Sequence, residues 1–194
     1  MYIYKVNGVS IEPRELIEVV ATIDQAEEIA NLQDYIRVNA LKDKVGEPVF
    51  AADSKEFVES IIKSKRGEIY LYYNDDDFVG FFELTCPDNP EELKEDYHVD
   101  QYISDVDYEN MGVAESFVVM PAYRGNGLQA AMFERMQEIA LERGITTLIG
   151  TVHPENVYSC NNFDVSGYDT IAEIQSHGGP RYLKYKVIAP VKKR

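Results

Sequence analysis

At 194 residues with 45% hydrophobic content, the chain is long enough for one domain with a sizeable core and too short for two large ones. A net charge of −15 excludes a general nucleic-acid binder, which needs a basic surface, and no apolar run approaches the ~18 residues of a membrane span. Cys86 and Cys160 make no disulfide framework, and with His98, His153 and His177 they show no metal-ligand spacing; the N-terminus lacks the features of a signal peptide, so the expectation is a soluble cytoplasmic protein without a metal.

In chain order, Val6-Asn7-Gly8-Val9 sets an Asn-Gly turn between β-formers and predicts a small hairpin over residues 1–12. Residues 15–21 read as a strand. Asp24 reads as the N-cap of a helix carrying Ala26, Ile29, Ala30, Leu32 and Ile36. A second helix follows over 55–65, with Phe57, Ile61 and Ile62 on its apolar side and Gly67 as its stop. Residues 68–73 and 78–85, joined at Asn74-Asp75-Asp76-Asp77, predict an antiparallel hairpin whose tyrosines serve sheet packing. The connection 86–111, punctuated by Pro87 and Pro90, reads as a long loop of the kind that often carries function. Residues 75–109 hold thirteen acids against one base, Lys94, and so carry −12 of the net −15. That run is either a solvated loop kept soluble by its charge or a field that attracts a cationic substrate.

The second half alternates strand and helix. A strand over 113–120 leads into a helix whose buried face is Leu128, Met132, Met136, Ile139 and Ala140, with Gly144 as its C′ residue. Residues 146–152 form a buried strand, Pro154-Glu155-Asn156 opens a short helix closed by Gly167-Tyr168, and strands near 169–174 and 182–188 complete one α/β domain. His153-Pro154 and His177-Gly178-Gly179-Pro180 read as turns, the latter able to border an acceptor site. Val191-Lys192-Lys193-Arg194 reads as a frayed basic tail.

Between the strand and the helix, Pro121-Ala122-Tyr123-Arg124-Gly125-Asn126-Gly127-Leu128 delivers an arginine and two glycines to a helix start. Free N–H groups and the positive end of the helix dipole favour an anion there, and glycines let a phosphate approach the backbone. Gly125-Asn126-Gly127-Leu128-Gln129-Ala130 fits the dinucleotide pattern G-x-G-x-x-A, which would imply an NAD-binding oxidoreductase. That fingerprint needs its first glycine directly after the strand and an acid at the end of the next one. Here Pro121 to Arg124 intervene and the next strand ends in Thr151-Val152-His153.

Read as strand-Val-x-Pro-x-Tyr-Arg-Gly-x-Gly-Leu, the same residues resemble the GNAT superfamily of acyl-CoA-dependent N-acyltransferases. The resemblance also rests on Thr147-Leu148-Ile149-Gly150-Thr151-Val152 and on Asn156 followed by Gly167-Tyr168, and it is specific over 113–168. It implies a single domain over 1–194 with a mixed, mostly antiparallel sheet splayed at its central strands and helices on both faces. It further implies acetyl-CoA as co-substrate, its pyrophosphate held by Arg124 and the N–H groups of Gly125, Asn126, Gly127, Leu128 and Gln129. The pantetheine arm would pair with the edge of the strand at Phe117, Val118 and Val119, where a backbone N–H can polarise the thioester carbonyl, and Asn156 would touch the same arm.

Two positions depart from the family pattern. Gln129 stands where the family has a small residue, and Phe163 stands where it often has the tyrosine that protonates the leaving thiolate. Tyr158 and Ser159 are the nearest donors, although a thiolate, whose thiol has a pKa of about 8.5, can leave without an acid. Glu115 is the candidate base for the acceptor amine, and period-2 alternation places it on the face of Phe117 and Val119. The expected function is acetyl transfer to a primary amine, small molecule or peptide, in a ternary complex, by a monomer or homodimer that binds neither nucleic acid nor membrane. The acidic run favours a cationic acceptor. The alternative is a CoA-binding regulatory module that has lost turnover.

Overall fold

A computed structural model describes residues 1–39, 49–64, 67–86 and 89–188. The N-terminal segment forms a separate two-stranded sheet, β1 (Tyr2–Val6) and β2 (Val9–Glu15), around a turn in which Asn7 and Gly8 both take positive φ, as an Asn-Gly hairpin turn requires. The expected strand over 15–21 starts later, as β3 (Ile17–Val20). The first helix, α1 (Ala26–Asn39), is approached through a 3-10 turn at Ile23–Gln25. Its cap is Thr22 rather than Asp24, because Gln25 Oε1 accepts from Thr22 N at 2.9 Å.

The second helix, α2 (Lys55–Ser64), precedes the hairpin β4 (Gly67–Asn74) and β5 (Asp77–Thr85). Gly67 is the first residue of β4, and its lack of a side chain has a packing cause: a Cβ there would lie 2.2 Å from Leu84 O. The acidic connection is not the loop its prolines suggest. It contains α3 (Pro90–Tyr97), started by Asn89, whose side chain accepts from Glu91 N, with Pro90 in the first turn. Leu93 and Val99 are buried against Met111, Val113, Ile149 and Leu183, which fastens the acidic segment to the sheet. There follow β6 (Met111–Val119), α4 (Leu128–Glu142), β7 (Thr147–Val152), α5 (Val157–Val165), β8 (Asp169–Ser176) and β9 (Gly179–Val187). The basic tail lies outside the described residues.

Seven strands form one sheet in the order β3-β4-β5-β6-β7-β9-β8, antiparallel except for β6 and β7. Side-chain alternation on β4 divides the core. Ile69 and Leu71 join Phe81 and Val118 beneath α1 and α2, while Tyr70 and Tyr72 join Phe82 and Leu84 beneath α4. All five apolar positions expected on α4 are buried, together with Phe133, whose ring stacks on Phe117 with centroids 4.0 Å apart.

Phe163, on α5, meets Phe133 and Tyr168 edge-on at 4.8 and 5.0 Å. Gly150 on β7 makes room for that ring: an added Cβ would lie 2.9 Å from both Phe163 Cζ and Ala114 O. Gly150→Ala is therefore expected to destabilise by about 1–3 kcal/mol, read as a lowered midpoint in urea unfolding at an unchanged slope.

Candidate active site

The site begins where the sheet comes apart. β6 and β7 pair only from Met111 with Thr147 to Val113 with Ile149; beyond that point their facing edges separate. On its other side β6 follows β5 to the end, and Met120 N donates to Val79 O at 2.9 Å. Alternation of the ladder then turns the backbone groups of Phe117 and Val119 toward the unpaired edge. There Arg124 Nε donates to Val119 O at 3.2 Å.

After β6 the chain makes a 3-10 turn at Pro121–Tyr123 and passes through Gly125 (φ 80°) and Gly127 (φ 73°), left-handed positions that glycine occupies without strain. A Cβ at either glycine would meet nothing within 4 Å, so the backbone borders open space. The bond from Ala131 N to Gly127 O (3.1 Å) starts α4 and leaves the N–H groups of Leu128, Gln129 and Ala130 without an intrahelical partner. The open edge of β6, residues 124–129 and the start of α5 enclose a cleft of about 530 Å³. Phe117, Val118, Val119, Arg124, Gly125, Gly127, Leu128, Gln129, Asn156, Tyr158 and Ser159 all line it. An edge that no strand pairs, met at Val119 O by the Arg124 side chain and lying beside an electropositive helix start, fits an extended ligand that ends in phosphates.

A second, smaller cavity of about 70 Å³ adjoins the cleft; Phe50, Phe117, Gln129, Asn156 and Ser159 line both. Its far wall carries Asp53, Glu115, Ser116, His153, His177 and Arg181. Glu115 does not lie on the face of Phe117, contrary to simple alternation. Between the pairs Phe82–Phe117 and Leu84–Ala114, β5 has one residue, Glu83, and β6 has two, Glu115 and Ser116. This β-bulge shifts the parity of the strand. Phe117 goes to the α4 side, whereas Glu115 bonds Thr85 and Ser116 bonds Asp53 on the side of α1.

The bulge assembles a buried group of acids. Thr85 Oγ1 donates to Glu115 Oε1 at 3.1 Å, Ser116 Oγ to Asp53 Oδ2 at 3.2 Å, and Gln33 Nε2 to Glu83 Oε1 at 3.2 Å. Gln33 Oε1 holds the Asp53 segment by accepting from Asp53 N at 2.9 Å. Glu83 is fully buried, and its Oε2 has no hydrogen-bond partner among the described residues. Burial, then the charge of Asp53, pushes the Glu83 carboxyl well above the usual carboxylate range. The same two causes, in the same order, raise Glu115 to about 7, with Asp96 adding to the shift. His177 is pushed down by burial and by Arg181, against the opposing charges of Asp53 and Asp96.

An Acetyltransferase (GNAT) family model matches residues 38–168. The chain belongs to the GNAT acetyltransferase family. Solved structures share the fold at low identity. A GNAT-family acetyltransferase from Streptococcus pneumoniae is 18% identical and superposes with a TM-score of 0.63, covering 90% of this chain and 100% of its own. The acetyltransferase yncA of Salmonella typhimurium, solved with its cofactor acetyl-CoA, is 10% identical with a TM-score of 0.63 (93% and 98% covered). The aminoglycoside acetyltransferase AAC(6')-Ib, solved with coenzyme A, is 11% identical with a TM-score of 0.59 (89% and 95% covered). No curated protein matches the sequence.

The other expected residues of this GNAT chain fall into two groups. Ser159 lies on the wall shared by both cavities, and Asn156 beside it caps α5, its side chain accepting from Ser159 N at 3.2 Å. Tyr158 stands at the rim, 84% exposed. Gln129 turns its side chain away from the glycine loop and accepts from Asn162 Nδ2 at 2.8 Å, tying α4 to α5. The side chain of Asn126 faces the N-terminal hairpin, and Asn126 is the one residue of 124–129 that does not line the cleft.

Burial pushes the thiols of Cys86 and Cys160 up, which keeps both protonated. His153 serves its turn, Nδ1 accepting from Glu155 N at 3.1 Å, while His177 lies both in the β8–β9 turn and on the wall of the smaller cavity. Asp53, Glu83 and Gln33 were not singled out by the sequence. Among the described residues no helix is long and apolar enough to cross a membrane, and no group of three or more His, Cys, Asp or Glu side chains is placed to hold a metal ion.

Proposed function

We propose that this chain acetylates a primary amine that enters as a cation, by direct transfer from acetyl-CoA in a ternary complex. The observation that carries this reading is Glu115, which lines the smaller cavity beside the wall shared with the cleft. Arg124 and the N–H groups of residues 125–129 would hold the pyrophosphate, and the open edge at Phe117 and Val119 the pantetheine arm, with Asn156 alongside. Bound acetyl-CoA supplies the acetyl group as an activated thioester.

An amine of pKa about 10.4 arrives protonated. Asp53 and Glu115 attract the ammonium into the cavity. Glu115, with its affinity for a proton balanced near pH 7, takes the proton that the nitrogen must lose before it can attack. Holding amine and thioester in contact where the two cavities adjoin contributes more than the proton transfer itself. As the nitrogen bonds the acetyl carbon the C–S bond would break and CoA would leave as a thiolate, which Ser159, on the wall of both cavities, or Tyr158, at the rim of the cleft, would protonate.

A regulatory module without turnover is the second reading, favoured by Phe163. That residue is 3% exposed, packed among aromatic rings, and has no proton to give. Thioester consumption with a panel of amines separates the two readings. The acetyltransferase reading expects turnover with polyamines or lysine-bearing peptides that declines at high salt, and equal rates on anionic amines would overturn the cationic acceptor.

The cofactor is tested by thermal unfolding. Acetyl-CoA at about one hundred times its Kd is expected to add about 2.7 kcal/mol, a rise of about 5–10 °C, whereas NAD should give none. Arg124→Ala should weaken acetyl-CoA binding by about tenfold. The absence of any shift with saturating acetyl-CoA would remove the basis of the proposal.

A further inference from the structure

The hairpin of β1 and β2 lies outside the residues matched by the family, yet it is joined directly to the glycine loop. Asn126, between the two glycines, makes three of its four carboxamide bonds to the hairpin and the fourth to its own turn. Its Oδ1 accepts from Tyr4 N at 2.7 Å and Lys5 N at 2.9 Å. Its Nδ2 donates to Lys5 O at 2.9 Å and to Tyr123 O at 2.8 Å. Asn7 N adds a bond to Ala122 O at 2.6 Å.

The contact is built into the hairpin. In a regular strand consecutive N–H groups point in opposite directions, so one oxygen cannot receive both. The register of β1 against β2 breaks between Ile3 and Lys5, which frees the N–H groups of Tyr4 and Lys5 to converge on Asn126. A carboxamide is the side chain that provides two acceptor sites and two donors at this reach. Ile3, fully buried in the same core cluster as Tyr123 and Leu128, fixes the hairpin beneath the loop.

A loop with two glycines has much conformational freedom to lose when it closes on a ligand. Ordering it beforehand removes that cost from binding. We infer that the N-terminal hairpin is a working part of the cofactor site, with Asn126 as the positioning residue that holds residues 124–129 in the shape that receives the phosphates of acetyl-CoA. This rests on the reading that the loop binds the pyrophosphate.

The test uses the full chain carrying Asn126→Ala, with Asn126→Ser as a milder variant should the first fail to fold and Arg124→Ala as the control. Titration calorimetry with acetyl-CoA, kinetics against both substrates and amide exchange are measured on each. The expected result for Asn126→Ala is a rise of about tenfold in Kd and KM for acetyl-CoA, with KM for the amine and kcat within about twofold, and joint loss of protection at residues 2–6 and 124–129. If Arg124→Ala weakens acetyl-CoA binding while both Asn126 variants lower only Tm, the contact is merely structural and the inference is overturned. If Arg124→Ala also leaves the affinity unchanged, the pyrophosphate reading falls and takes the inference with it.

Discussion

Glu115→Gln is expected to lower kcat/KM for amine acetylation by about 10²–10³ at pH 7.5 and to abolish the dependence on a group titrating near 7. In the wild type, activity is expected to rise with pH through about 7, because a base at Glu115 must lose its proton before it can accept one from the amine. The groups that set this value face Glu115 from several elements: Asp53 before α2 and Asp96 on α3 raise it, and the hydrogen bond from Thr85 on β5 lowers it. An unchanged pH profile in the variant would remove Glu115 from the chemistry.

Stability must move the other way. A carboxyl whose folded pKa is raised from 4.5 to about 7 binds more protons folded than unfolded, so the fold loses stability as pH rises across that window. Glu115→Gln should therefore be more stable than the wild type at pH 8, by about 2–3 kcal/mol, and the gap should close toward pH 4. A residue that combines lost activity with gained stability is hard to explain as mere packing.

Asp53→Asn should raise KM for a cationic amine by about 10- to 30-fold, the range expected for one lost charge-assisted contact. It should also move the acid limb of the kcat/KM profile to lower pH. After burial, the charge of Asp53 is the largest cause holding Glu115 up, and its removal lets Glu115 ionise earlier. The variant would then be a weaker binder whose pH profile begins below that of the wild type. A rise in KM with the acid limb unmoved would place Asp53 away from Glu115 in solution and refute its role beside the base.

The parts of this site that could be read in the sequence are those where local chemistry and backbone coincide. Gly125 and Gly127 announce left-handed turns wherever they fold, and the face of α4 follows from spacing alone. Asp53 carries no such mark. It precedes a helix, where an acid is ordinary, and it meets Ser116 across 63 positions of sequence. Glu83 looks like the polar member of an alternating strand, and only the topology, which lays α1 over it, shows that it is buried. The helix α3 was masked by its charge, although Asn89-Pro90 is a cap followed by a favoured first residue. Phosphate loops are written locally, whereas acceptor pockets are written in contacts.

The extra residue in β6 gives its two ends separate duties. Before the bulge, residues 113 and 114 join the strand to β5 and residues 111–113 join it to β7; residues 117–119, after it, keep β5 but have no strand on their other edge. Because side-chain direction beyond the bulge depends on residue count, the identities of Glu115 and Ser116 matter less to the cofactor edge than the fact that there are two of them. The chemistry of the smaller cavity can thus be retuned by substitution at the bulge while the edge at Phe117 and Val119 keeps its orientation, and it is the length of this strand, more than its composition, that the fold holds fixed.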